Sequence, residues 1–106
     1  MMKPLEELSA QVFREQLKTR FNVHPDGGGA AIALELIEVE EKGNDKIELF
    51  LLRFAGPLTP RLAQQVQRLE HGKIGEFEIF ITPISAGQEQ GTVYEAVFHR
   101  FRKKPA

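Results

Sequence analysis

A chain of 106 residues with no cysteine and a formal net charge of -1 excludes disulfides, thiolate metal sites and cysteine nucleophiles, and has no overall field to draw nucleic acid or anionic membrane. The length suits one domain over residues 1–106, and 42% apolar against 27% charged residues is the balance of a folded soluble chain that can bury one core. No apolar run reaches the ~20 residues of a membrane helix, and Glu6 and Glu7 stand where a signal peptide needs an apolar segment, so a cytoplasmic location is expected.

Leu5, Leu8, Val12, Phe13 and Leu17 recur near helical spacing, which predicts a helix through about Lys18. It starts either at Pro4, whose missing donor costs nothing in a first turn, or at Ser9, which can cap the free amides with Leu8 and Phe13 as a hydrophobic staple. Its apolar stripe is expected to close one end or one face of a sheet. Arg20 to His24 is the first predicted strand, with Phe21 and Val23 inward. Pro25-Asp26-Gly27-Gly28-Gly29 reads as a loose hairpin loop. A strand-like run follows it, whereas a phosphate cradle needs a helix start there.

Ala31 to Glu41 is the second predicted strand. Its apolar parity changes between Leu36 and Ile37, which predicts a bulge or strong bend. Glu41 to Asp45 forms a turn by composition, and Lys46 to Ala55 is the third strand. Its Leu49-Phe50-Leu51-Leu52 run is apolar on both faces, as in a central strand. Gly56-Pro57-Leu58-Thr59-Pro60 ends it, because proline cannot donate to a ladder.

Residues 61–72 read two ways. Leu62, Val66 and Leu69 fit a helix between Thr59-Pro60 and Gly72; the rival is a strand from about Gln65 to His71, turning through Gly72-Lys73-Ile74-Gly75. The clearest strand signal follows. Phe77, Ile79 and Ile81 alternate with Glu76, Glu78 and Thr82, so the first three are predicted inward and the carboxylates wet. Phe80 takes the outward parity, under the helix or at an interface. Pro83 is expected to end this strand on one side, and Ala86 to Gly91 to form a loop before a last strand from Thr92 to Phe101. The fold class expected is α+β: an N-terminal helix packed on a five- or six-stranded antiparallel β-barrel or sandwich.

The chemistry-bearing residues are sparse. His24, His71 and His99 lack the short spacings of metal ligands, so no metal site, cofactor or catalytic residue is expected. His71, at a turn, reads as a hairpin histidine bonding local carbonyls. Glu95 and Glu76 or Glu78 would approach if the last two strands pair, one way to build an acid–base pair. The simpler reading is a wet face with Arg100, Arg102 and Lys73 as charge partners. Tyr94 reads as a half-buried phenol with one hydrogen bond. No Gly-x-Ser-x-Gly elbow occurs, which removes that route to a serine nucleophile. Arg100, Arg102, Lys103 and Lys104, beside Phe98 and Phe101, could touch nucleic acid, but Glu35, Glu38, Glu40 and Glu41 offset them and no such binding is expected.

In order, the chain carries Leu8-Ser9 and Phe13 ahead of Arg20-Phe21-x-Val23, then a Leu-Glu-Leu strand and Phe54-x-Gly56-Pro57. Leu69-Glu70-His71, Gly75-x-Phe77, Phe80-x-x-Pro83 and Tyr94-Glu95-Ala96-Val97-Phe98 follow. This order resembles, over nearly the whole chain, a bacterial family of β-rich domains of about this length that carries an unknown-function label. Its members usually place an aromatic where this chain has Val66. The resemblance implies a compact β domain, a strand for residues 61–72, and an association of some members with phage-tail-like proteins; it transfers no catalytic residue. The expected function is a non-catalytic protein-binding or assembly module, most economically a homodimer, because an exposed strand edge must be paired or covered. Gln65, His71, Phe80, Tyr94 and Glu95 are the candidate interaction or pocket residues. The alternative is a small ligand-binding barrel or enzyme, which requires Glu95, His71 and Tyr94 to converge in one cleft.

Overall fold

The computed structural model describes residues 8–24, 30–57, 62–88 and 91–101. Ser9 starts the helix: its Oγ accepts from the Val12 amide at 3.3 Å, and α1 runs from Ala10 to Arg14. The helix is five residues long and stops short of the expected Lys18. Its end tightens, with Gln16 and Leu17 donating to the carbonyls of Phe13 and Arg14. Lys18 then takes a left-handed φ of 69°. Its amide donates to Leu36, whose own amide donates to Thr19. The sheet thus takes over the backbone groups that a longer helix would have used. The possible start at Pro4 lies outside the described residues.

Six strands follow: β1 Arg20–His24, β2 Ile32–Glu41, β3 Ile47–Gly56, β4 Gln65–His71, β5 Gly75–Gln88 and β6 Gly91–Phe101. They close into an antiparallel barrel in the order β1-β2-β3-β6-β5-β4. The barrel is therefore two sequential meanders, β1-β2-β3 and β4-β5-β6, joined along the seams β3–β6 and β1–β4. The strand order closes on itself, but the β5–β6 ladder starts only at Thr82↔Glu95, so β5 before Thr82 and β6 after Glu95 are not laddered to each other. Among the described residues no helix is long and apolar enough to cross a membrane.

Alternation along the strands sorts the side chains. Phe21, Val23, Leu34, Leu36, Phe50, Leu52, Phe54, Leu69, Phe77, Ile79 and Ile81 point inward and are buried. Phe13 is fully buried among them, with its ring centroid 6.2, 6.1, 5.7 and 5.5 Å from those of Phe21, Phe50, Phe77 and Phe98. The register of β2 on β3 slips between Leu36 and Glu38, the bulge that the parity change predicts. It keeps Glu38 and Glu40 outside while turning Val39 toward the core.

Residues 65–71 form a strand, as the resemblance implies, and the helical reading fails. The inward face is Gln67, Leu69 and His71 with Val66 outside, so the apolar spacing follows the helical period alone and the hairpin partner β5 overrides it. Three further expectations are corrected. Leu49 and Leu51 are half-buried on the outside of β3, not covered on a second face, because a barrel has only one interior. Pro83 does not end β5. The β4 ladder stops at Gln65↔Ile81 and the β6 ladder shifts between Pro83 and Ser85, so the missing donor falls at an irregularity. The expected loop from Ala86 to Gly91 is mostly strand, with Gln88 paired to Gly91.

Replacing Phe13 by alanine is expected to cost about 3–5 kcal/mol in a urea titration, while Glu78→Ala, on the solvent side of β5, stays within about 0.5 kcal/mol. Equal effects of the two changes would contradict this packing.

Candidate functional site

The barrel carries three distinct arrangements, two on its outer surface and one inside. On β2, β3 and β6 the bulge places Glu38 and Glu40 over Arg53. The guanidinium bonds Glu38 at 2.6 Å and Glu40 at 3.3 Å through Nη1, and Glu95 at 3.2 Å through Nη2. The hydrogen bond with Glu38 does most to raise the Arg53 pKa; partial burial opposes it. Arg53 and Glu95 are direct cross-strand neighbours. That register makes Arg53 a charge partner of Glu95; of the expected partners, Arg102 and the side chain of Arg100 lie outside the described residues.

The second arrangement is the outer face of β4 and β5. Val66 pairs with Phe80, Arg68 with Glu78, and Glu70 with Glu76. One end of this face is thus charged and the other apolar. At the apolar end Val66 is 53% and Phe80 50% exposed, with Ile84 at 48% on β5 and Val97 at 54% on β6. On β6, Val97 lies two residues past Glu95, whose pairing with Thr82 is the last β5–β6 rung at this end. Phe80 lies in the open and not under the helix. At the charged end His24 Nε2 lies 2.9 Å from Glu70 Oε1, and Glu76 comes to the same spot. The ligand atoms of His24, Glu70 and Glu76 are all within 4.8 Å of one another. Histidine spacing gave no hint of this cluster, because its other members are carboxylates on β4 and β5, visible only once the register is known.

The third arrangement is internal. His71 ends β4, buried, with its ring 4.4 Å from that of Phe21. Its Nδ1 accepts from the amides of Lys73 and Ile74, at 3.0 and 3.4 Å. The histidine holds the turn through amides, where local carbonyls were expected. With Nδ1 accepting, the proton sits on Nε2, which donates to Thr19 Oγ1 at 2.9 Å; Thr19 in turn donates to the carbonyl of Gln16 at 2.6 Å. This chain ties the β4–β5 turn to the end of α1. Burial, with a smaller push from Lys73, lowers the His71 pKa. Tyr94 is fully buried, not half-buried, and its hydroxyl accepts from the Leu62 amide at 2.8 Å. Gly56 makes room for it: a Cβ there would lie 3.1 Å from the Tyr94 ring and 2.5 Å from Leu34.

The candidate residues from the sequence therefore separate. Tyr94 points inward and its neighbour Glu95 outward, His71 sits at the turn below, Gln65 is exposed at the start of β4, and Phe80 is on the outer patch. Glu95, His71 and Tyr94 share no cleft. An open groove of about 440 Å³ lies elsewhere, against Arg20, Ile32, Leu34, Glu35, Gly56 and Pro57.

A family model described as "Domain of unknown function (DUF6916)" matches residues 8–98. The chain belongs to this family. The match starts at the helix-capping segment and ends within β6, so a DUF6916 domain takes in the plug helix and every strand of the barrel. Neither the search of curated proteins nor that of solved structures found a match.

Tyr94→Phe removes the acceptor for the Leu62 amide and is expected to cost about 1–3 kcal/mol. His71 gives a pH signature. Its folded pKa is lowered, so its contribution is complete above the unfolded value near 6.5 and is lost as pH falls below it. Urea midpoints measured in EDTA-containing buffer should drop from pH 7.5 to pH 5, and His71→Gln should flatten that drop; parallel profiles would refute the assignment.

Proposed function

We propose that this domain is a non-catalytic protein-binding or assembly module that docks through the apolar end of its outer β4–β5–β6 face. The observation that carries this reading is the direct pairing of two half-exposed apolar side chains, Val66 and Phe80, with Ile84 also exposed on β5 and Val97 on β6. Single exposed apolar residues are ordinary on a soluble surface; a group gathered on adjacent strands of one face marks an interaction site. The exposed apolar side chains stand on a sheet face, so docking proceeds by face-to-face side-chain packing and not by strand addition.

A second copy of the chain is the partner that fits most simply. Two such faces related by a two-fold axis bury Phe80 against its counterpart, and the neighbouring Arg68 and Glu78 offer opposite charges that can cross-pair at the rim. The resemblance to domains associated with phage-tail-like proteins supports an assembly role in a bacterial cytoplasm. The separation of Glu95, His71 and Tyr94 supports a role without chemistry of its own.

Light scattering and sedimentation at micromolar concentration test the dimer. The wild type is expected to self-associate, and Phe80→Ser to weaken that association by tenfold or more, about 1.4 kcal/mol or above, with an unchanged urea midpoint. A wild type that stays monomeric, or a Phe80→Ser variant that dimerises equally well, overturns this use of the face.

A further inference from the structure

We propose that His24, Glu70 and Glu76 form a binding site for a divalent transition cation of the zinc class. The three residues come from β1, β4 and β5, neighbouring strands of the barrel. The sheet itself therefore sets their separation. His24 follows Asn22 by two residues on the outer face, and Asn22 pairs with Glu70, which pairs with Glu76. The turn that fixes Glu70 against Glu76 is held by the adjacent His71, whose ring nitrogen takes the amides of Lys73 and Ile74. The two carboxylates cannot slide apart without breaking that turn.

Direct opposition of two glutamates on a sheet is unfavourable. The ion pairs formed by the described residues give Glu70 only His24 as partner and give Glu76 none. A bound cation converts this repulsion into attraction. Zinc sits about 2.0–2.2 Å from nitrogen and oxygen ligands, so two ligand atoms on one ion are at most ~4.4 Å apart. The spread of 4.8 Å closes to this by a small carboxylate rotation, and the 2.9 Å between His24 and Glu70 already lies within it. The imidazole sets the class: nitrogen with carboxylates suits zinc and its transition-metal neighbours, whereas magnesium and calcium prefer oxygen alone. Three protein ligands on a solvent-facing strand surface leave the remaining positions to water.

Such an ion would clip the barrel where it closes. The β1–β4 seam has only the pairs Asn22↔Glu70, Val23↔Leu69 and His24↔Arg68, and the cation would bridge β1 to β5 across it.

The test is calorimetric titration of the untagged, chelator-treated chain with zinc chloride, magnesium chloride and calcium chloride. One zinc per chain is expected, with magnesium and calcium far weaker. His24→Gln and Glu76→Gln should each weaken zinc by tenfold or more, while Glu78→Gln, which pairs with Arg68 on the same face, should not. Zinc should also raise the urea midpoint of the wild type and leave that of Glu76→Gln unchanged. No zinc binding, wild-type zinc affinity in either ligand variant, or magnesium binding as tightly as zinc would each overturn the proposal.

Discussion

The ring of Phe13 is the contact on which the barrel interior depends. It meets rings from β1, β3, β5 and β6, and so ties the helix to four of the strands. The ladder between β5 and β6 begins at Thr82↔Glu95; towards Gly75, β5 pairs with β4, and towards Phe101, β6 pairs with β3. In that half of the barrel, Phe77 and Phe98 come together on Phe13 in place of a hydrogen-bonded ladder. Aromatic pairs contribute about 0.5–1.5 kcal/mol beyond the area they bury, so a single short helix can hold the strands it plugs. Its own position is fixed by Ser9 at one end, by the Thr19–His71 link at the other, and by Arg14 on Glu41 at 3.0 Å.

The outside of the barrel divides by chemistry. Around Arg53 the surface is knit by three carboxylates from two neighbouring strands. Around Phe80 the same strand geometry exposes apolar carbon. The charged end of β4 and β5 gathers His24 with two glutamates. A barrel of this size is filled by its side chains, which pushes recognition to the exterior. The proposed protein contact and the proposed cation site accordingly sit on the outer face, and not in an internal cavity.

Much of this was legible in the sequence, and the failures have physical causes. The alternation of Phe77, Ile79 and Ile81 with Glu76 and Glu78 placed β5 correctly, and the parity change at Leu36 located the bulge. The helix came out too long because Leu17 continues its pattern, while the left-handed Lys18 that stops it has no signature in residue type. Pro83 misled because a proline is tolerated at a ladder irregularity, and irregularities depend on the partner strand. The site residues were the least legible. Tyr94 and Glu95 are adjacent in sequence and face opposite ways, so their proximity in the chain meant separation in space. His24, Glu70 and Glu76 are distant in the chain and meet only because β1 pairs with β4. Register is a property of two strands, and one strand's sequence does not state it.

The arrangement as two meanders joined by two seams bears on how the chain reaches its fold. Each meander forms through neighbouring strands and turns, with little loop-closure entropy to overcome. The seams join residues far apart in sequence, and pairings of that kind set the pace of folding in β domains. The β3–β6 seam runs the whole length of β3, from Ile47↔Phe101 to Gly56↔Thr92, while β1 meets β4 only from Asn22 to His24. The long seam commits the two halves to each other, and the short one behaves as a latch. Breathing of the native barrel begins at that latch, where the fewest rungs must break, and amide protons along β3 are the last to exchange with solvent.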